Sequence, residues 1–174
     1  MLGRRLYCRL PLLSFLTMGK FRAMAIQYIT EKLSDDGRKV IDACINEITY
    51  THRTYNLYDS YGWCVYYDGY IKNMGFLSPY QRATDFKYWG KGDNKRPIFG
   101  RNEIKRFFEE YKATKGTFEL VIAAAMPYAE ILEEGGGRLK HKYRVISMSF
   151  QKLQELSAKY GGAYVVGLSK GRKI

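Results

Sequence analysis

Residues 62–69 read Gly-Trp-Cys-Val-Tyr-Tyr-Asp-Gly, and this stretch decides the fold. Aromatic and β-branched side chains favour a strand, and Asp-Gly directly after them is typical of a tight turn at its end. A second strand is predicted over 117–125, where apolar residues alternate with others, and a third over 163–168. The chain therefore contains several short strands that are far apart in sequence.

Helical periodicity fills the stretches between these strands. Apolar residues recur at helical spacing from Ala25 to about Ile48, with Ser-Asp-Asp-Gly at 34–37 as a candidate interruption. Shorter helices are predicted around 104–111, over 128–134 and around 146–160. Helices mixed with well-separated strands predict an α+β domain with its helices packed on one face of a small antiparallel sheet.

Length and composition indicate one compact domain. The chain has 174 residues, of which 46% are hydrophobic, enough to bury a core. We assign residues 24–174 to a single α+β domain. Within it, 70–100 is rich in Gly, Pro and aromatic residues, which predicts a long structured loop insertion.

The first 23 residues differ in character from the rest. They carry five basic residues and no acidic one around a short apolar run. Without a consistent helical or strand period, residues 1–23 are predicted to lie outside the core. Three interpretations stay open: a start at Met18 or Met24, a surface arm, or a secretion signal.

Charge and cysteine usage limit the possible partners. The net charge of +12 attracts anionic partners, and no stretch is long and apolar enough to span a membrane. Three widely spaced cysteines argue against both a disulfide framework and a structural zinc site, which favours a reducing compartment. No cofactor and no metal are expected.

The catalytic motifs that the sequence lacks predict that this chain is not an enzyme. The chain lacks a nucleophile elbow, a phosphate-binding loop and a zinc-binding His pair. Gly135-Gly136-Gly137-Arg138 is typical of a helix end followed by a loop rather than an anion cradle. Glu130, Glu133 and Glu134 are interpreted as a solvated or subunit-contacting face, and no residue is predicted to be catalytic.

The segment 53–61, Arg-Thr-Tyr-Asn-Leu-Tyr-Asp-Ser-Tyr, resembles a motif of the head-to-tail joining, or tail-completion, protein family of long-tailed bacteriophages. The family motif is Asp-Thr-Gly-x-Leu-x-x-Ser followed by an aromatic or aliphatic residue, and it lies between a long helix and a strand. Thr54, Leu57 and Ser60 match it, whereas Arg53 replaces the usual Asp and Tyr55 the usual Gly. We expect Leu57 to be a core anchor and Ser60 to make a local hydrogen bond.

A second segment, 128–135, resembles another motif of the same family, Tyr-Ala followed by an aliphatic residue, an acid and a glycine. Its matching residues are Tyr128, Ala129, Leu132, Glu133 and Gly135, with Tyr128 expected as a second core anchor. The Pro- and Arg-rich segment that normally follows is replaced by 138–144. The two motifs, their order and the final helix place the resemblance over most of 25–160.

The resemblance implies a non-enzymatic virion protein, a small α+β subunit that forms a ring at the neck or top of the tail. Its partners would be further copies of itself, neck or head-completion proteins and tail-tube proteins. It would reside in the virion, and in the host cytoplasm during assembly. The expected interface residues are Tyr88, Trp89, Glu130, Glu133 and Glu134.

Two alternatives stay open. The insertion 70–100 holds six basic and two acidic residues with interleaved aromatics, which suits phosphate neutralisation and base stacking in a nucleic-acid-binding protein. Contact with DNA is also compatible with a ring that encloses a DNA path. A small secreted protein is the second alternative.

Overall fold

The computed structural model describes residues 4–10, 19–47, 55–78, 87–89, 96–126, 129–135, 142–159 and 165–170. In these ranges the chain forms seven strands and five helices. In chain order they are β1 Arg4–Leu10, α1 Gly19–Asn46, α2 Asn56–Asp59, β2 Tyr61–Tyr67, β3 Tyr70–Phe76, β4 Lys87–Trp89, β5 Arg96–Ile98, α3 Gly100–Glu110, β6 Phe118–Ala124, α4 Ala129–Glu134, α5 Val145–Lys159 and β7 Val165–Lys170.

Five strands form one antiparallel sheet in the order β3-β2-β6-β1-β7, and β4 pairs with β5 in a separate ribbon. Helix α1 lies across β2, β3 and β6, and α5 lies beside it across β1, β6 and β7. This confirms the predicted α+β class. The arrangement differs from the prediction in one respect, because α3 packs on the opposite face of the sheet.

Two cores explain why helices are needed on both faces. All seven residues of β2 and all seven of β6 are buried, so each alternating set of side chains needs cover. Trp63 and Leu120 face the core beneath α1 and α5, whereas Tyr66 and Val121 face the core beneath α3. Because both faces of these two strands are buried, one helical layer is insufficient.

Helix α1 runs without a break through the predicted interruption at 34–37, so that expectation was wrong. The Ser34 hydroxyl donates to the Thr30 carbonyl at 2.7 Å, and Asp36 pairs with Lys32 at 2.6 Å. At Gly37 the helix approaches the sheet so closely that a Cβ atom would lie 3.0 Å from the Leu120 side chain. The polar residues are thus satisfied within the helix, and the glycine provides room for close packing rather than a turn.

The prediction that residues 1–23 lie outside the core is wrong for residues 4–10, while 1–3 and 11–18 lie outside the described residues. Residues 4–10 form β1, which pairs on one side with β6 and on the other with β7. Gly19–Ala23 begin α1 and are exposed. The strand was missed for two reasons. The alternation of Leu6, Cys8 and Leu10 is short and lies among three arginines, and the strands that pair with it lie far along the chain.

The insertion 70–100 contains regular structure that was predicted as loop. As predicted, Asp68-Gly69 forms a tight turn, with φ of 54° and 83°, and it leads directly into β3. Two positive φ values match the turn type whose twist suits a two-residue hairpin. Gly75 lies opposite Trp63 in the β2–β3 register and leaves space that the indole ring occupies.

Candidate functional site

The first motif segment forms a one-turn helix, α2, that leads into β2. Tyr55 precedes it with a φ of 53°, a left-handed conformation that favours glycine. Leu57 is buried in the main core, and the Ser60 hydroxyl donates to the Leu57 carbonyl at 2.7 Å. These two observations confirm the core anchor and the local hydrogen bond that were predicted, while Thr54 lies outside the described residues.

A buried asparagine joins this segment to α3. The side-chain oxygen of Asn56 accepts a hydrogen bond from the backbone N–H of Gly100 at 3.1 Å, at the first residue of α3. A Cβ atom on Gly100 would overlap the Asn56 carbonyl oxygen. Sequence analysis missed both residues, because the capping group comes from a segment 44 positions away and no local capping pattern exists.

The second motif segment forms α4 and its C-terminal end. Ala129 is buried, Leu132 packs against the main core, and Gly135 adopts a φ of 71°. The Gly135 N–H donates to the Ile131 carbonyl at 2.9 Å, which is how a left-handed glycine commonly ends a helix. Tyr128, the predicted second core anchor, lies outside the described residues.

Glu133 is not the surface residue that was expected. Its side chain is only 3% exposed, and its carboxylate accepts from the backbone N–H of Ile146 at 2.6 Å and from the N–H of Ser147 at 3.3 Å. The Ser147 hydroxyl donates to the same carboxylate at 3.0 Å. Glu133 therefore caps the start of α5, where unpaired N–H groups and the helix dipole favour a negative charge.

Glu130 and Glu134 share α4 with Glu133 but not its burial, and the other two expected interface residues lie on a different element. Glu134 is exposed and Glu130 is half-buried, and between them Ile131 is an exposed apolar residue. Tyr88 and Trp89 lie on β4 opposite Pro97 and Arg96, in the ribbon outside the main sheet. The interface role of these four residues stays a prediction.

An apolar stripe on α1 was missed by sequence analysis. Phe21, Met24 and Tyr28 are 61%, 66% and 69% exposed, although each is a large apolar or aromatic residue. Their spacing of three and then four residues places them on one face of the helix. The available signal was this spacing, which begins ahead of the predicted helix start at Ala25 and continues into the helix.

Some buried ionisable groups of the described residues form hydrogen bonds that join elements of the fold. Glu119 accepts from the Tyr111 hydroxyl and from the Thr114 N–H, fixing the segment that joins α3 to β6. Burial raises the pKa of the Cys64 thiol to about 12, and burial also raises the pKa of Tyr66. Tyr66 donates to the Phe108 carbonyl at 2.7 Å. Both groups are therefore held in their neutral forms.

The described part of the chain holds neither a metal-binding cluster nor a membrane-spanning helix. Among those residues, no group of three or more His, Cys, Asp and Glu side chains is placed to hold a metal ion. None of the described helices is long and apolar enough to cross a bilayer. In comparisons with family models, curated proteins and solved structures, nothing matches this chain.

Proposed function

We propose that this chain is a non-enzymatic structural subunit of a tailed-phage virion that forms a ring at the head–tail junction. The observation that carries the proposal is the backbone of Tyr55. The motif that the segment resembles has Gly at this position, and here the residue has the left-handed φ that glycine adopts most easily. A tyrosine in the same conformation supports a shared local backbone despite the departure in sequence.

The other motif-matching residues that the structure describes have structural roles that support the same proposal. Leu57 is buried, Ser60 closes the turn before β2, and Ala129 is buried at the start of α4. Gly135 ends α4 with a positive φ, and Glu133 caps α5. Such residues preserve a scaffold rather than a reaction centre, which suits a subunit that acts by assembly.

The proposed partners and location of the chain follow from this role. The subunit would contact other copies of itself, a neck or head-completion protein and the tail tube, in the virion and in the host cytoplasm during assembly. A net charge of +12 suits a ring through which DNA passes.

The test is deletion of the encoding gene from its phage, followed by electron microscopy of the lysate. We expect DNA-filled heads and complete tails that are not joined, and expect joining to return when the wild-type chain is supplied in trans. Labelled chain should then be found at the neck. Normal joined particles in the deletion lysate would refute the proposal.

Nucleic-acid binding is the alternative function, and the net charge of +12 favours it. For that role we expect the affinity of the purified chain for single-stranded DNA to fall linearly with salt on a log-log plot. A steep slope together with normally joined particles in the deletion lysate would favour this alternative.

A further inference from the structure

Three basic side chains from different parts of the chain meet around the turn between β2 and β3. Arg22 of α1 donates to the Tyr67 hydroxyl at 3.2 Å, and the Lys72 ammonium lies 5.7 Å from the centre of the Tyr67 ring. The Lys115 side chain lies 3.6 Å from the position that a Cβ atom on Gly69 would take. All three basic residues are exposed. We define the turn surface as Arg22, Lys72 and Lys115 together with Tyr70.

The positive charge of the turn surface is only partly balanced within the described part of the chain. Among the described residues, none of its three basic side chains forms an ion pair. The acidic residue of the turn is Asp68, whose carboxylate accepts from the Gly116 N–H at 2.8 Å. The hydrogen bond to Tyr67 is the main reason that the pKa of Arg22 is raised, and the charge of Asp68 contributes less. One carboxylate beside three cations leaves a positive surface, which attracts anions.

An exposed aromatic ring lies beside these charges. Tyr70 follows the turn directly, pairs with Tyr67 in the β2–β3 register and is 69% exposed. Directly opposite residues of an antiparallel pair have Cβ atoms about 4.5–5.5 Å apart, so Tyr70 lies next to the ring that Arg22 and Lys72 contact. An exposed ring of this kind offers a face on which an unpaired base can stack. The bases of a duplex, in contrast, are already stacked on one another.

We infer that the turn surface binds single-stranded nucleic acid, with its basic side chains on the phosphates and Tyr70 stacked on a base. The cations alone would accept any polyanion, and the ring selects a strand with unpaired bases. Joining of heads to tails requires no such strand, so the inference goes beyond the proposed function. It also differs from the sequence-based alternative, because only Tyr70 and Lys72 belong to 70–100.

The charged part of the surface is tested by the salt dependence of binding. The probe is a fluorescently labelled oligothymidylate, and its affinity is measured by anisotropy at several salt concentrations. Each phosphate that is neutralised on a single strand adds about 0.7 to the slope of log affinity against log salt. The chain with both Lys72→Gln and Lys115→Gln should therefore bind more weakly, with a slope that is shallower by about 1.4.

A second double variant is the matched control for charge. Lys39→Gln with Lys105→Gln removes the same charge from exposed lysines that pair with Asp35 and Glu109. All four lysines are exposed, so folding should be unaffected, and circular dichroism checks it. The control should keep most of the affinity and of the slope. Equal changes in the two double variants would show that binding follows the net charge, and would refute the site.

Two tyrosine variants test the stacking. Tyr70→Ala and Tyr28→Ala remove rings of equal exposure, 69%, but Tyr28 belongs to the apolar stripe on α1. Tyr70→Ala should weaken oligothymidylate binding about tenfold, and Tyr28→Ala should leave it unchanged. Neither should change the binding of inorganic polyphosphate, which carries charge without bases. Equal affinity for a duplex of the same length, with no loss in Tyr70→Ala, would refute a single-strand site.

These outcomes are separate from those of gene deletion. Normally joined particles in the deletion lysate would refute the head–tail role and leave the binding result unchanged. If the parent chain did not bind oligothymidylate at low salt, the inference would be refuted even where the deletion supports the head–tail role. Joined particles that form when the Lys72→Gln and Lys115→Gln chain is supplied in trans would support a role for the turn surface outside joining.

Discussion

Replacing Glu133 by alanine should destabilise the protein strongly, although the residue sits in an acidic cluster that suggests a surface position. The carboxylate receives three hydrogen bonds at the start of α5 and is 3% exposed. Hydrogen bonds to a charged group contribute about 1.5–3 kcal/mol each, and the contact at 3.3 Å is the weakest of the three. Replacing a Ser, Thr, Asp or Asn N-cap residue by Ala costs about 0.5–2 kcal/mol of stability.

We therefore expect Glu133→Ala to lower the free energy of unfolding by about 3 kcal/mol. In a chain of this size that corresponds to a fall of roughly 6–12 °C in the melting temperature. Glu133→Gln keeps one acceptor oxygen and should lose about half as much. The measurement is chemical denaturation followed by circular dichroism, in parallel with thermal melts.

Glu134→Ala is the matched control, because it removes the same charge from the same short helix at an exposed position. Its effect should stay within about 0.5 kcal/mol of the wild type. If Glu133→Ala proved as mild as Glu134→Ala, the carboxylate would not hold α5, and the role assigned to it from the hydrogen-bond geometry would be wrong.

Three further predictions concern the packing of Leu57, the packing of Gly75 and the ionisation of Cys64. Leu57→Ala should cost about 2–5 kcal/mol in denaturant unfolding, since Leu57 is buried in the main core, and a loss below about 0.5 kcal/mol would contradict its anchoring role. Gly75→Ala should cost about 1–3 kcal/mol and shift the tryptophan fluorescence, because the new methyl group would overlap the Trp63 ring, whereas unchanged emission and stability would show that the ring does not lie there. The Cys64 thiol ionises near pH 8.5 when unfolded, but its folded pKa is raised to about 12, so its contribution to stability is complete below about pH 8.5 and is lost as pH rises toward 12. Over that window Cys64→Ala should show a shallower loss of stability than the wild type, and identical slopes would argue against the raised pKa.

Strands and helices with strong local patterns were predicted well from the sequence. In β2 the aromatic and β-branched residues encode the strand. Asp68-Gly69, directly after it, encodes the turn. In α5 the helical spacing of apolar residues does the same. Features that depend on distant residues were missed, since Asn56 caps a helix that begins 44 positions later and β1 pairs with the last described strands.

In the candidate site, too, locally determined features were predicted and features that depend on distant residues were missed. Ser60 bonds to a carbonyl of its own segment, and Leu57 is an apolar residue of the motif, so both roles could be predicted from the sequence. Glu133 is the same residue type as its neighbours Glu130 and Glu134. Only the packing of α5 against α4 makes it a buried cap. The stripe of Phe21, Met24 and Tyr28 has core-like residue types, and only the fold leaves it in solvent.

The position of β1 between β6 and β7 also has a consequence for how the chain is made. Its register pairs Arg4 with Lys170 and Arg5 with Ala123, so a strand translated early must wait for partners that are translated late. Until then its hydrogen-bonding edges are open to other chains, which is the condition under which nascent polypeptides aggregate. Contacts of such long sequence separation also slow folding. We therefore expect the newly synthesised chain to require chaperone protection until β7 pairs with β1, and expect it to fold slowly.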